Sequence, residues 1–239
     1  MNLVLFEPDE LASALPLDDP RAQHILKVLR LAPGASFDAG LVNGPIGKAT
    51  LLRSGSDSLE ISFIASREPP PLPPVTLLVG LPRPQTARDL LRDTATLGAA
   101  CIHFVTTERS DPNYAASSLW TSGEWQRHLL VGAAQAFDTR LPLVTWTHSL
   151  AASFALLPNA TARLALDNYE ATRPLASALA AASGPDLVLA IGPERGWGAT
   201  DREALRAAGF SLAHLGTRVL RTETALVAAL ALAAAAREA

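Results

Sequence analysis

The sequence predicts an α/β protein in which a small β-barrel precedes a parallel sheet flanked by helices. Beyond residue 74, strand-like apolar runs alternate with helical stretches, the pattern of a parallel sheet built from crossover units. Before residue 67, short, partly alternating segments are separated by Pro-Gly, Asn-Gly and Ser-Gly turn signals, as in a small barrel. Between them lies REPPPLPP, residues 67–74, whose five prolines in eight residues favour a stiff extended connector. Two domains are expected, at 1–68 and 75–239.

In the first part the strand segments are LVLFE, ASFDAGL, GKATLLR and SLEISFIAS. One helix interrupts them, starting after Asp18-Asp19-Pro20, where acidic residues and a first-turn proline suit a helix N-terminus; it carries HILKVLRL and is expected to end at Pro33-Gly34. In the second part VTLLVGL, CIHFVTT, ARLALD, DLVLAIG and SLAHLG read as strands. QTARDLLRDTATLGA, GEWQRHLLVGAAQAF and TDREALRAAG read as helices, and Thr200 with Glu203 forms a capping-box pattern for the last of these. The run from Ala225 to Ala236 is apolar throughout, well short of the roughly 20 residues of a bilayer span, and reads as a buried helix. Such a helix needs a surface: a second copy of the chain, giving a homodimer, or its own domain.

Composition narrows the chemistry. The formal charge is −3, so indiscriminate coating of nucleic acid is excluded and any such contact is local. Lys27 and Lys48 are the only lysines; the arginine excess suits bidentate phosphate contacts and equally reflects compositional bias. Cys101 is the only cysteine, which rules out an intrachain disulfide and a thiolate metal cluster and fits a reducing cytosol. MNLVLFEPDE has no basic segment and meets Glu7 early, so no signal peptide and no membrane association are expected.

Two stretches draw a functional reading. In LAIGPERGWGATDREALRAAGF, residues 189–210, an apolar strand ends at Ile191, and Gly192-Pro193 open a turn at the carboxyl edge of the sheet, where α/β folds place their ligands. Gly192, Gly196 and Gly198 lack dinucleotide-fold spacing. The sequence around Gly47-Lys48 is no P-loop, with Val42 and Ala49 at its critical positions. Metalloprotease and serine-hydrolase motifs are absent too, and no metal is expected. In HLGTRVLRTETALVAALAL, residues 214–232, Arg218, Arg221, Thr222, Glu223 and Thr224 stand directly before an apolar helix. Polar groups so placed are costly unless they bond each other, a ligand or a partner.

GPExG at 192–196 and LGxRVLRTETA at 215–225 resemble the cofactor-binding signature of the RsmE-type bacterial 16S rRNA uridine N3-methyltransferases of the SPOUT superfamily. His24, Val28, Leu29, Arg30 and Pro33-Gly34 are similar to that family's H-x-x-x-V-L-R-x-x-P-G segment, and Leu97-Gly98 with Glu108-Arg109-Ser110 to its central segment. The resemblance implies a PUA-like RNA-binding barrel and a methyltransferase domain whose chain from about residue 187 to 239 forms a trefoil knot. It implies S-adenosylmethionine as cofactor, small-subunit ribosomal RNA as partner, a homodimer, and a cytoplasmic location. The cofactor would lie against Leu166, against Ile191, Gly192, Pro193, Glu194 and Gly196, and against Leu215, Gly216, Val219, Leu220, Arg221 and Thr222.

The implied chemistry is methyl transfer to N3 of a uracil, which lies on the Watson–Crick edge and must be unpaired to be reached. Arg221 is the candidate for the uracil oxygens or a neighbouring phosphate, with Glu194 or Glu223 orienting it or acting as base. Lys27, Arg30 and Arg109 are candidates for the RNA backbone, and His24 for an approach to RNA; solvated surface charge or helix packing is the alternative for each. The chain departs from the family pattern at Arg195, Thr96 and Ala134. A positive φ required at Arg195 would cost of order 1 kcal/mol. The competing readings are a non-catalytic RNA-binding homologue and a SPOUT methyltransferase acting on another RNA.

Overall fold

A computed structural model describes residues 3–159, 162–182 and 184–238. The chain divides into two compact units: residues up to Pro71 together with Ala133–Leu141, and Leu72–Gly132 together with residues from Pro142 onward.

The first unit is built on a mixed sheet of β1 (Val4–Phe6), β2 (Leu15–Pro16), β3 (Ser36–Leu41), β4 (Ile46–Ser54) and β5 (Ser58–Arg67), in the order β1-β3-β4-β5-β2. β1 pairs with β3 in parallel and the other pairs are antiparallel. The sheet curls into the half-barrel expected of a PUA-like unit, over a core that includes Phe6, Ile25, Phe37, Leu51 and Leu59. α1 (Pro20–Gln23) starts as the acidic N-terminus predicts: the Asp19 carboxylate accepts from the Arg21 backbone N–H at 2.7 Å, and Pro20 occupies the first turn. The helix then widens into a π-turn over His24–Val28, and Arg30 turns left-handed at φ 53°. The helix therefore stops several residues before Pro33-Gly34, where the sequence predicts its end. The Leu31 N–H reaches back to the Ile25 carbonyl at 3.1 Å, which closes the turn without a glycine. Ala133–Leu141 joins this unit because Asn43 grips it: the Asn43 N–H donates to the Thr139 carbonyl at 2.8 Å, and its side-chain oxygen accepts from the Leu141 N–H at 2.9 Å.

The second unit carries a six-stranded, wholly parallel sheet of β6 (Val75–Gly80), β7 (Cys101–Thr106), β8 (Leu143–Ser149), β9 (Ala162–Leu166), β10 (Leu187–Ile191) and β11 (Ser211–Ala213), in the order β11-β9-β10-β6-β7-β8. Every residue of β6 and β10 is buried, as expected of central strands covered on both faces, and their continuous apolar runs made them legible. The helices are α2 (Pro84–Leu97), α3 (Ser118–Thr121), α4 (Glu124–Ala136), α5 (Leu150–Ser153), α6 (Leu175–Ala180), α7 (Ala199–Ala207) and α8 (Thr222–Glu238). α8 lies against α2, α6 and β10 and buries Leu226, Ala229, Leu230 and Ala233. That i, i+3, i+4, i+7 stripe is covered within its own unit, so the apolar run by itself does not call for a second copy.

β6 and β10 are neighbours in the sheet, and the turns that follow them meet. A Cβ on Gly80, at the end of β6, would overlap the Pro193 ring and lie 2.7 Å from its nitrogen. Gly80→Ala is therefore expected to destabilise the protein by about 1–3 kcal/mol, the range for overpacking. The midpoint of chemical denaturation measures this, and an unchanged midpoint would show that the β10 turn yields freely.

Candidate active site

The carboxyl ends of β9, β10 and β11 and the segment leading into α8 surround a cavity of about 490 Å³. That volume falls in the range of roughly 300–1,000 Å³ typical of small-molecule and cofactor sites. From the sequence-predicted set, Leu166, Ile191, Gly192, Pro193, Glu194, Gly196, Leu215, Val219, Leu220, Arg221, Thr222 and Glu223 all line it. Gly216 does not line it; it is exposed at φ +110°, with its N–H donating to His214 Nδ1 at 3.1 Å. The wall is partly apolar, from Leu166, Ile191, Leu215, Leu220 and Trp197, and partly main chain from the two glycine-containing turns. Such a lining suits a ligand with one flat apolar part and several hydrogen-bonding groups.

The β10 turn is held from several sides. The Gly196 N–H donates to the Pro193 carbonyl at 2.7 Å, and Gly196 takes the left-handed conformation at φ +66°. Arg195, the residue at which the sequence raised the question of strain, stays out of that region; the glycine beside it makes the turn. The Arg195 carbonyl accepts from Arg109 Nη1 at 2.8 Å. Trp197 is 1% exposed and donates its indole N–H to the Leu166 carbonyl at 2.9 Å, tying the β10 turn to the end of β9.

α7 begins at Ala199, with Gly198 as its N-cap. Its cap differs from the Thr200/Glu203 pattern read from the sequence. The Asp201 carboxylate accepts from the Gly198 N–H at 2.9 Å and from the Glu108 N–H at 3.1 Å, while the Glu108 carboxylate accepts from the Thr200 N–H at 3.2 Å. The nearby Asp201 thus takes the role read for Glu203, and a carboxylate from the distant β7 loop supplies the cap that the Gly198 N-cap, having no side chain, cannot, a contribution only the tertiary fold can make.

Glu194 bonds away from Arg221. Its carboxylate accepts from the backbone N–H of Arg83 at 3.1 Å and lies 3.7 Å from the Arg83 guanidinium, just before α2. Glu223, in the first turn of α8, faces α2: it is one of the charges that, after burial and Asp89, hold the Asp93 carboxyl above its usual range. The Arg221 guanidinium is exposed and has no side-chain partner among the described residues, so no Arg–Glu pair accounts for the polar run before α8. Arg109 borders a second cavity, also about 490 Å³, which shares Arg83, Pro193, Glu194 and Arg195 with the first. His24, Lys27 and Arg30 stand on and just after the π-turn of the first unit, His24 half-buried and the other two exposed.

Sequence reading missed Asp167, Tyr169 and Arg202. Asp167 and Arg202 are 5% and 6% exposed and paired, Arg202 Nε to Asp167 Oδ2 at 2.7 Å. The other Asp167 oxygen accepts from the Tyr169 and Glu170 backbone N–H groups at 2.8 and 2.6 Å, which folds residues 167–170 into a tight turn at the cavity rim. Burial pushes the Asp167 carboxyl up, but the bonds from Arg202, Glu170 and Tyr169 outweigh it and hold the group below its ordinary range. The signal was an Asp-Asn pair immediately after a strand, a turn cue that gives no hint of a buried arginine partner from α7.

Burial pushes the Cys101 thiol up to about 11, so it is no thiolate nucleophile at neutral pH. Among the described residues no group of three or more His, Cys, Asp or Glu is arranged to hold a metal ion, and no helix is long and apolar enough to cross a membrane.

A family model described as an RNA methyltransferase domain matches residues 68–234. The chain is 38% identical to the ribosomal RNA small subunit methyltransferase E of Treponema pallidum, over 97% of this chain and 90% of that protein. It is 26% identical to the ribosomal RNA small subunit methyltransferase E 1 of Borreliella burgdorferi, over 96% and 95% of the two chains. The crystal structure of a ribosomal RNA small subunit methyltransferase E from Neisseria gonorrhoeae bound to S-adenosyl methionine matches with a TM-score of 0.77 at 24% identity, over 97% of this chain and 95% of that one. At that identity the match speaks for the fold.

Proposed function

The chain belongs to the RsmE-type family of small-subunit ribosomal RNA methyltransferases, and from that premise we propose that it transfers a methyl group from S-adenosylmethionine to N3 of a uridine in 16S ribosomal RNA. The observation that carries the reading is the convergence of the β9, β10 and β11 turns and the LRTETA segment on one cavity of cofactor size. The cofactor, when bound, supplies a methyl on a positively charged sulfur. The chain's residues then have to hold the base, accept the N3 proton and stabilise charge on the uracil oxygens.

Main-chain groups of Gly192 to Gly196, of Leu215 and of Val219 to Thr222, together with Leu166, hold the cofactor, while the apolar wall of Ile191, Leu215 and Leu220 takes its adenine. Arg221, charged and without a side-chain partner among the described residues, stabilises the oxygen that gains charge as N3 loses its proton. Glu223 is the carboxylate we assign to that proton; Glu194, engaged by Arg83, orients the turn. Lys27 and Arg30, with His24, bind the RNA backbone through the first unit, and Arg109 does so through the second. Each phosphate contact removed should lower the salt slope by about one. The remaining parts of the proposal are a knot formed by residues from about 187 to 239, a homodimer, and a cytoplasmic place of action, where ribosomal subunits are assembled.

Incubation with labelled S-adenosylmethionine and small-subunit RNA, followed by mass-spectrometric mapping, tests the reading. Label at N3 of a single uridine is expected. Cofactor binding without transfer would favour a non-catalytic RNA-binding homologue, and label in tRNA or large-subunit RNA alone would favour a different substrate.

A further inference from the structure

Tyr169 is a large aromatic left 74% exposed on the rim of the cavity. An exposed tyrosine on a surface loop needs no explanation by itself, but this one is fixed. Its own backbone N–H is bonded to Asp167, and the Arg202 guanidinium lies 5.2 Å from its ring centroid, in the arrangement of a cation under an aromatic face. Arg202 is in turn anchored by the buried bond to Asp167. The edge of the ring, Cε2, lies 3.9 Å from the place a Cβ on Gly196 would occupy, so Tyr169 stands beside the β10 turn. One ring face is thus backed by a buried cation while most of the side chain is open to solvent. A ring held at low entropic cost beside an apolar and main-chain-lined cavity is a stacking surface awaiting a flat partner.

We propose that Tyr169 is a cofactor-recognition residue, an aromatic wall that stacks on the adenine ring of S-adenosylmethionine. This rests on the reading of the cavity as the cofactor site. The ring and not the hydroxyl carries the contact, since no hydrogen bond of the hydroxyl fixes the side chain among the described residues. Recognition is directed at the heteroaromatic end of the cofactor, on which the apolar wall of Ile191, Leu215 and Leu220 also closes.

Calorimetric titration of the full chain with S-adenosylmethionine and, separately, with a small-subunit RNA fragment tests this. Tyr169→Ala is expected to raise the cofactor Kd about five- to tenfold, the worth of one aromatic stack. Tyr169→Phe is expected to bind as the wild type does, and affinity for RNA alone is expected to stay within twofold in both variants. Because the side chain is exposed, the unliganded melting temperature should not move, which reports that the fold around the β10 turn is intact. Cofactor binding unchanged in Tyr169→Ala overturns the proposal, as does an equal loss in Tyr169→Phe. A loss confined to RNA binding overturns it as well, assigning the ring to an RNA base. Failure of the wild type to bind S-adenosylmethionine is a different result: it removes the cofactor reading itself, and the Tyr169 proposal with it.

Discussion

Replacing Arg221 by alanine is expected to lower the rate constant for methyl transfer by about 10²- to 10³-fold, the loss seen when one donor to a developing oxyanion is removed. The expectation follows from where the guanidinium stands. It lines the cavity beside Thr222 and Glu223, is exposed, and is spent on no carboxylate among the described residues. A charge with no structural partner can be removed without leaving another group stranded, so the fold should tolerate the change. Single-turnover transfer from labelled S-adenosylmethionine, with cofactor affinity measured in parallel, separates the possibilities. A fall in rate with affinity retained places Arg221 on the transition state. A fall in affinity alone would make it a cofactor contact and remove it from the chemistry.

Breaking the Asp167–Arg202 pair should cost about 3–5 kcal/mol of stability, because Asp167→Ala strands a buried guanidinium and frees two backbone N–H groups at the cavity rim. Glu170, 3.6 Å from Arg202, offers a partial substitute and argues for the lower end of that range. Urea denaturation measures the loss. The double variant Asp167→Leu/Arg202→Met should recover much of it, since an apolar pair of similar volume avoids the desolvation of both charges. The pH dependence has a definite sign. The folded carboxyl is held below its ordinary value, so its contribution is present above the unfolded pKa of about 3.9 and is lost as pH falls through the folded value. The stability gap between wild type and Asp167→Asn should therefore hold from neutral pH down to about 4 and close below it. A gap that persists unchanged in strong acid would show that the pair contributes through shape alone.

Much of the second unit could be read from the chain because its central strands are buried on both faces. VTLLVG and LVLAI are unbroken apolar runs for that reason. β8 escaped notice: as an edge strand it mixes Thr145, Thr147 and Ser149 with apolar residues, and the same composition serves a loop. β2, two residues long, carries no periodic signal at all. The helix through HILKVLRL looked longer than it is, since apolar spacing continues past the point where a π-turn and a left-handed Arg30 end it.

The glycine-containing turns at the ends of β10 and β11 stood out because glycine and proline mark local backbone requirements that hold wherever the chain goes. The amino-acid order by itself determined the alternation of strands and helices, the proline-rich break, and the residue types at two strand ends. Only the tertiary structure decided that those ends face a common cavity, that Glu108 caps a helix some ninety positions away, and that Asp167 and Arg202 meet in the interior to fix Tyr169 at the rim. Local pattern encodes what each segment can form; contacts between distant segments depend on strand order, and strand order is settled by the packing of the whole sheet.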